Sequence, residues 1–412
     1  MLAGNRHLTA RRDTDVDRAV ERVLGPIVDA VERCMGRDLR SLALIGSFGR
    51  GEGGVRLEKG KITIVNDLDF VVVPRGLGFW GWHRHASALA AEAEVLAEYL
   101  EIKQIDIGFR TVAMLRRPPL TVADYEIAAG HMVLSGSPLP VDLGRFEEGH
   151  AIPLKEGTVY FLNRGSGLLL ARRYLSSGGA LRNHDAENFA IEIDKAVLAM
   201  GDAFLIERRL YTASYRERSN RMAGLDLTTL TDGAWIQSRY LAAVERKLFP
   251  GRRSVKADPM GLWEEVQQVF LRFFLGYENR RIGRSFENWL EYSGAIGQRW
   301  RSGRRHALGR GLRSLVEGGV VGGILSPARW REAARRQPRR LLQIMPLLLC
   351  AVEPNRVRVE ELEQAEQLLG HATDGRHQDR WDGAVNRYLL LYHPTGAAGK
   401  IARRPAAGLV PG

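Results

Sequence analysis

Asp67 and Asp69 stand two positions apart in "VNDLDFVVV", a run apolar enough to be a buried strand. In a strand, side chains two apart share a face, so both carboxylates project together while Leu68 turns to the core. Carboxylates held side by side repel unless cations lie between them. Mg²⁺, which takes oxygen ligands and accompanies phosphates, suits that role. Upstream, "LALIGSFGRG" leaves a short apolar strand through Gly46 and Ser47. Such small residues let backbone N–H groups approach a phosphate, the start of a short helix adds a favourable field, and Arg50 is placed to reinforce it. Asp106 in "QIDIGF" is the lone charge between Ile105 and Ile107, pointing opposite to both. Its burial without compensation would be costly. If its strand lies beside the one that carries the pair, Asp106 can share their metal and take a proton from an attacking hydroxyl. Together the three groups describe a site for a metal–nucleoside triphosphate.

A Gly-Ser turn after a strand, an acidic-x-acidic pair on a strand and a single acid on a later strand, in that order, resemble the DNA polymerase β-type nucleotidyltransferase superfamily. Within it the chain is most similar to bacterial stand-alone nucleotidyltransferase-domain proteins of the aminoglycoside nucleotidyltransferase kind. "GSFGRGEG" and "NDLDF" carry the likeness, and "DYEIAAGHMVLSG" resembles the segment after the third acid. The likeness spans roughly residues 15–140. One departure is that Asp67 lies 21 positions after Gly46, more than is usual in the superfamily. A hairpin inserted over 55–65 accounts for the excess, since loop length is tolerated cheaply; that hairpin could equally serve as a flap over the substrate.

The resemblance implies transfer of a nucleoside monophosphate, AMP from ATP by expectation, onto an acceptor hydroxyl with release of pyrophosphate. It implies two Mg²⁺ ions, with Asp67 and Asp69 binding both and Asp106 the catalytic one, and Gly46 and Ser47 holding the β and γ phosphates. It further implies a Lys and a later Tyr from the helical region touching the triphosphate, and Lys195 and Tyr215 stand in that order. On the residues alone, Lys195 and Asp202 share one face of an apolar helix, and an ion pair between them is the plainer reading. The acceptor could be a small molecule like an aminoglycoside, a protein hydroxyl, an RNA end or a second nucleotide, the last being the cyclic-oligonucleotide type of synthase. A non-catalytic binding module of the same fold, such as a toxin partner, is the alternative from another class. A metal-dependent glycosyltransferase also uses Asp-x-Asp but has no use for the Gly-Ser turn.

The elements that must position these residues follow from periodicity. Over 13–36, Val16, Val20, Val23, Ile27, Val31 and Cys34 recur at helical steps, with Asp13 or Thr14 to cap the start, Gly36 to stop it and Pro26 to kink or divide it. Strands are predicted over 42–45 and 68–73, a hairpin turning at Lys59-Gly60, a helix over about 84–100 and a strand ending at Phe109. This is a small mixed-sheet α/β unit, and from about residue 157 the pattern is almost wholly helical. The predicted class is α+β, with a nucleotidyltransferase domain over 1–152, a helical domain closing the cleft over 153–250, a further helical domain over 251–393 and a disordered tail over 394–412.

With 412 residues, 45% of them hydrophobic and 26% charged, the chain is a multidomain globular protein by composition. The longest apolar run, "LLQIMPLLLCAV", is broken by Gln343 and Pro346 and is too short to cross a bilayer. The N-terminus lacks a secretory core, and Cys34 and Cys350 make no disulfide framework, so the cytoplasm is the expected compartment and no membrane the expected surface. The net charge of +12 is uneven: through residue 150 there are 19 Lys and Arg against 21 Asp and Glu, leaving 41 against 27 for the rest. That basic excess, including "RRQPRRLL" near Arg335, favours polyanions such as nucleotides or RNA, unless it reflects Arg-rich genome composition alone. In "FWGWHRHAS", Trp80 and Trp82 are read as aromatics that anchor a loop before a helix or rim a pocket. His83 and His85 there have no acidic or cysteine neighbour in sequence to suggest a metal.

Overall fold

The computed structural model describes residues 7–76, 79–175, 183–251, 258–301, 338–353, 356–370 and 375–392. The expected tail over 394–412, the side chains of Trp80, Trp82 and His83, and residues 335–337 of the basic stretch lie outside the described residues. The chain divides into two compact units, which do not follow its linear order. One comprises Met1–Glu156, Gly201–Thr229 and Gln237–Arg252; the other comprises Gly157–Met200, Leu230–Ile236 and Arg253–Gly412. The sequence division at residues 152 and 250 therefore differs from the spatial one, because two helical stretches from the middle of the chain pack with the N-terminal sheet.

The first unit is built on a four-stranded sheet. Its strands are β1 (Leu39–Leu44), β4 (Leu68–Pro74), β5 (Ile105–Phe109) and β6 (Met132–Gly136), in the order β5-β4-β1-β6. β1 runs antiparallel to both β4 and β6, while β4 and β5 are parallel, so the sheet is mixed. β2 (Val55–Glu58) and β3 (Lys61–Ile64) form a separate hairpin whose turn, Lys59-Gly60, has both residues at positive φ, the twist that tight hairpins favour.

Alternation along each strand makes two cores. Leu42, Leu44, Leu68, Phe70, Val72, Ile105 and Phe109 pack on one face against α1 (Thr14–Met35) and α3 (Phe79–Tyr99). Ala43, Val71 and Val73 pack on the other with Leu115 of α4 (Val112–Arg116) and Ile127 of α5 (Val122–Ala129). α1 begins where Asp13 accepts the N–H groups of Asp15 and Val16, ends at Gly36 with φ 52°, and runs through Pro26 undivided. α3 starts at Phe79, earlier than the apolar period suggests, so "FWGWH" opens a helix rather than a loop; within it His85 is buried with Nε2 3.2 Å from Asp38 Oδ2. The α+β class stands.

The second unit is helical. α6 (Lys155–Leu175) meets α10 (Pro259–Ile282) through Phe161, which stacks on Phe274 at 4.5 Å and touches Phe270, Phe273 and Tyr277. α11 (Trp289–Arg301), α12 (Pro338–Ala351), α13 (Val359–Leu369) and α14 (His377–Tyr392) complete it, with a two-residue ladder between β7 (Val352–Glu353) and β8 (Arg356–Val357). α7 (Asn183–Glu207) and α9 (Gly233–Leu248) run from this unit into the first, which also holds α8 (Tyr215–Ala223). Among the described residues no helix is long and apolar enough to cross a membrane.

Candidate active site

β1 hands the chain to the glycine turn beside β4. The Ile45 N–H donates to Asp69 O at 2.8 Å, and the next residue, Gly46, turns with φ 65°. A Cβ at Gly46 would lie 2.3 Å from Asp69 Oδ2, so glycine is required twice, once for the dihedral and once for the carboxylate pressed under the bend. α2 (Gly46–Gly49) is a single turn. Ser47 within it is buried, and its hydroxyl accepts a long hydrogen bond of 3.5 Å from Asn66 Nδ2. Gly46→Ala is expected to cost roughly 1–3 kcal/mol of stability and to displace Asp69, which urea denaturation and a binding titration with Mg²⁺ would register together.

Asp69 and Asp106 fall on one face of the sheet. Asp69 alternates with Leu68 and Phe70 and shares the side of Val71 and Val73; Asp106 is its register partner on parallel β5, opposite in direction to Ile105 and Ile107. Asp67 immediately precedes β4. The Asp69 carboxyl is pushed from 3.8 up to about 7, first by burial and then by repulsion from Asp106 and Asp67, against the pull of Lys247 and Arg50. Asp106 is exposed, and its Oδ1 accepts from Gln104 Nε2 at 2.7 Å. Among the described residues no three His, Cys, Asp or Glu side chains are gathered closely enough to hold a metal ion. What the site does show is the register of Asp69 with Asp106 and a charge that Asp69 carries only at a cost.

Sequence reasoning placed Arg50 on the phosphates, whereas the structure gives it another partner. Its Nη1 donates to Glu126 Oε2 at 3.2 Å, its side chain is only 6% exposed, and a Cβ on Gly130 would come within 2.1 Å of its Cγ. Glu126 also accepts from Arg218 Nη2 at 2.6 Å and from the Tyr211 hydroxyl at 2.7 Å. Arg218, fully buried, reaches Asp202 Oδ2 with Nη1 at 2.9 Å, and Tyr240 donates to the other Asp202 oxygen at 2.7 Å. Burial alone would raise the Glu126 carboxyl, yet Arg50 and Arg218 hold it below its ordinary value. For Asp202 burial prevails and the carboxyl stays raised. Arg50 thus helps hold the turn in place through a buried ion network, and its charge reaches Asp69 only at a distance.

The expected Lys195–Asp202 pair is not the one formed. Lys195 Nζ donates to Glu192 at 3.0 Å and belongs to the second compact unit, whereas Asp202 belongs to the first. Tyr215 is in the first unit with the acids. Its ring receives the Arg218 guanidinium at 3.9 Å and the Lys247 ammonium at 4.8 Å, and its N–H donates to Glu52 Oε2 at 2.8 Å. Burial pushes its phenol up to about 12. Lys247, Glu126, Arg218 and Asn66 were not singled out in the sequence. Lys247 sits in the last turn of α9, where a basic residue normally complements the helix dipole, so its proximity to Asp69 has no local signal.

No family model and no curated protein matches the chain. Among solved structures it is similar to the crystal structure of spectinomycin adenyltransferase AAD(9) from Enterococcus faecialis with ATP and spectinomycin, at 12% identity and a TM-score of 0.35 over 61% of this chain and 98% of that one. A likeness of that degree does not bear on activity, which rests on the residues above.

Proposed function

We propose that this chain moves a nucleoside monophosphate from a nucleoside triphosphate, ATP by expectation, onto an acceptor hydroxyl and releases pyrophosphate. The observation that supports this most is the Asp69 carboxyl: pressed under the Gly46 bend, in register with Asp106 and pushed up to about 7. A carboxylate whose charge is that costly calls for a counter-cation, and the adjoining bend offers backbone to the phosphates that bring one. Asp67, Asp69 and Asp106 would hold two Mg²⁺ ions. When bound there, Mg²⁺ supplies charge neutralisation on phosphoryl oxygens and a lower pKa for a coordinated hydroxyl.

The chain's own residues do the rest. Gly46 and Ser47 seat the β and γ phosphates, and Lys247 adds positive potential beside Asp69. Asp106, the exposed acid, takes the proton of the acceptor hydroxyl. That oxygen attacks the α-phosphorus, and the new P–O bond forms as the bond to pyrophosphate breaks. Tyr215, in the same unit as the acids, remains the helical-region candidate for the triphosphate, with Lys247 the one that Asp69 feels.

The test is incubation of each labelled nucleoside triphosphate with Mg²⁺ and a cell extract, identifying which molecule takes up label. Mg²⁺-dependent pyrophosphate release should fall roughly 10³-fold or more in Asp67→Ala with the circular dichroism spectrum unchanged. Release no higher than in Asp67→Ala would sink the enzymatic reading in favour of a non-catalytic nucleotide-binding module. Sustained turnover with nucleotide alone would make a second nucleotide the acceptor.

A further inference from the structure

Past the glycine turn from the acids, beside the start of the opposite edge strand β6, lies a cavity of about 670 Å³ within the first unit. Three stretches of chain wall it: the N-terminal strap with His7 and Arg12, the exit of the turn at Gly49–Gly51, and the α5–β6 corner with His131. Thr212 and Ser214 close it. Its lining contains two arginines and two histidines and no carboxylate.

The strap is built to hold these groups in place. Asp17 Oδ1 accepts the N–H groups of Leu8 and Thr9 and the Thr9 hydroxyl, and its Oδ2 lies 2.8 Å from His7 Nδ1. Ala10 N–H donates to Gly53 O and Gly53 N–H to Leu8 O, which ties the strap to the loop leaving the glycine turn. The strap then turns at Arg12, whose N–H donates to Thr9 O and whose φ is 54°. A left-handed conformation at a residue with a long side chain costs of order 1 kcal/mol, and glycine would remove that cost. The residue kept there is nevertheless an arginine, exposed, and among the described residues its guanidinium has no ion-pair or hydrogen-bond partner. On the opposite wall, His131 donates Nδ1–H to Ile127 O at 2.9 Å, which fixes its ring.

We infer that this cavity is a binding site for a small phosphate ester, separate from the acidic site and independent of divalent metal. The donors come from divergent directions. A planar carboxylate is satisfied by one guanidinium fork, whereas a three-oxygen dianion uses a guanidinium, imidazoles and a hydroxyl from separate segments, the hydroxyl here being Thr212, since Ser214 Oγ already donates to Glu52 Oε1 at 2.6 Å. The small wall of Ala128, Ala129 and Gly130 leaves the remaining volume for the body of the ester. Arg50 contributes less than its charge suggests, since Glu126 already pairs with it.

The experiment is equilibrium binding of AMP and, separately, citrate to the full chain in EDTA. AMP should bind saturably, citrate should not compete, and Arg12→Gly, which relieves the backbone at that position and so leaves the fold intact, should weaken AMP binding about tenfold or more. Asp67→Ala should leave AMP binding in place. AMP binding unchanged in Arg12→Gly would overturn the inference, as would absence of AMP binding in EDTA or binding of citrate in preference to AMP. None of these outcomes depends on whether the acidic site turns over, so the two readings fail separately.

Discussion

Asp69→Asn is expected to abolish nucleotidyl transfer, by roughly 10³-fold or more, and at the same time to make the protein more stable in EDTA at pH 8. The carboxyl sits at about 7 in the folded protein against an ordinary 3.8. A group raised in this way contributes stability that is full below the unfolded value and is lost as pH climbs through the folded one. Wild type should therefore weaken between about pH 4 and pH 7. A shift of that size corresponds at face value to about 4 kcal/mol. Asp69 is only half-buried, so solvent screening leaves about 1–2 kcal/mol as the realistic gain, or a few degrees of melting temperature.

Asparagine keeps the shape, removes the charge and should flatten this pH dependence. Mg²⁺ should then raise the melting temperature of wild type and not of the variant, because only the charged site gains from the cation. Thermal unfolding across pH 5–8, with and without Mg²⁺, reads all three effects. An Asp69→Asn protein less stable than wild type at pH 8 in EDTA would mean that the carboxylate is supported by its surroundings rather than strained by them.

The second large effect is structural. Arg218→Met is expected to destabilise the first unit by about 3–5 kcal/mol, because it strands Asp202 in the interior without its cation and leaves Glu126 with Arg50 alone. The cost belongs to the unpaired charge more than to the lost pair, so the double replacement Arg218→Met and Asp202→Asn, which keeps Glu126 for Arg50, should recover much of it. In the single variant both carboxyls would be raised by loss of the guanidinium, so the deficit should shrink at pH 5 and grow at pH 8. Urea denaturation at the two pH values checks the sign. Equal losses at both would show that packing around Tyr211 and Tyr215, rather than charge, is what Arg218 supplies.

What could be read from the sequence was whatever is encoded by local period and local stereochemistry. The apolar steps of α1 with Asp13 and Gly36 at its ends, the apolar run of β4, the alternation of β5, and the Lys59-Gly60 turn each depend on residues a few positions apart. The opposite faces of Leu68 and Asp69 follow from the same two-residue repeat, and the left-handed Gly46 belongs to a turn that its own residues announce.

The sheet order β5-β4-β1-β6 brought Asp106 into register with Asp69, and no local pattern carries that, since the strands are separated by a helix. β6 went unread because "HMVLSG" is short and weakly alternating. The charges were assigned by tertiary structure alone. Arg50 found Glu126 76 positions away and Arg218 found it 92 positions away, while Lys247 reached the site from the end of a late helix. A charged side chain looks the same in sequence whether it meets phosphate, carboxylate or water. Only the folded chain decides which, because the cost of burying an ion depends on the one neighbour that folding places beside it.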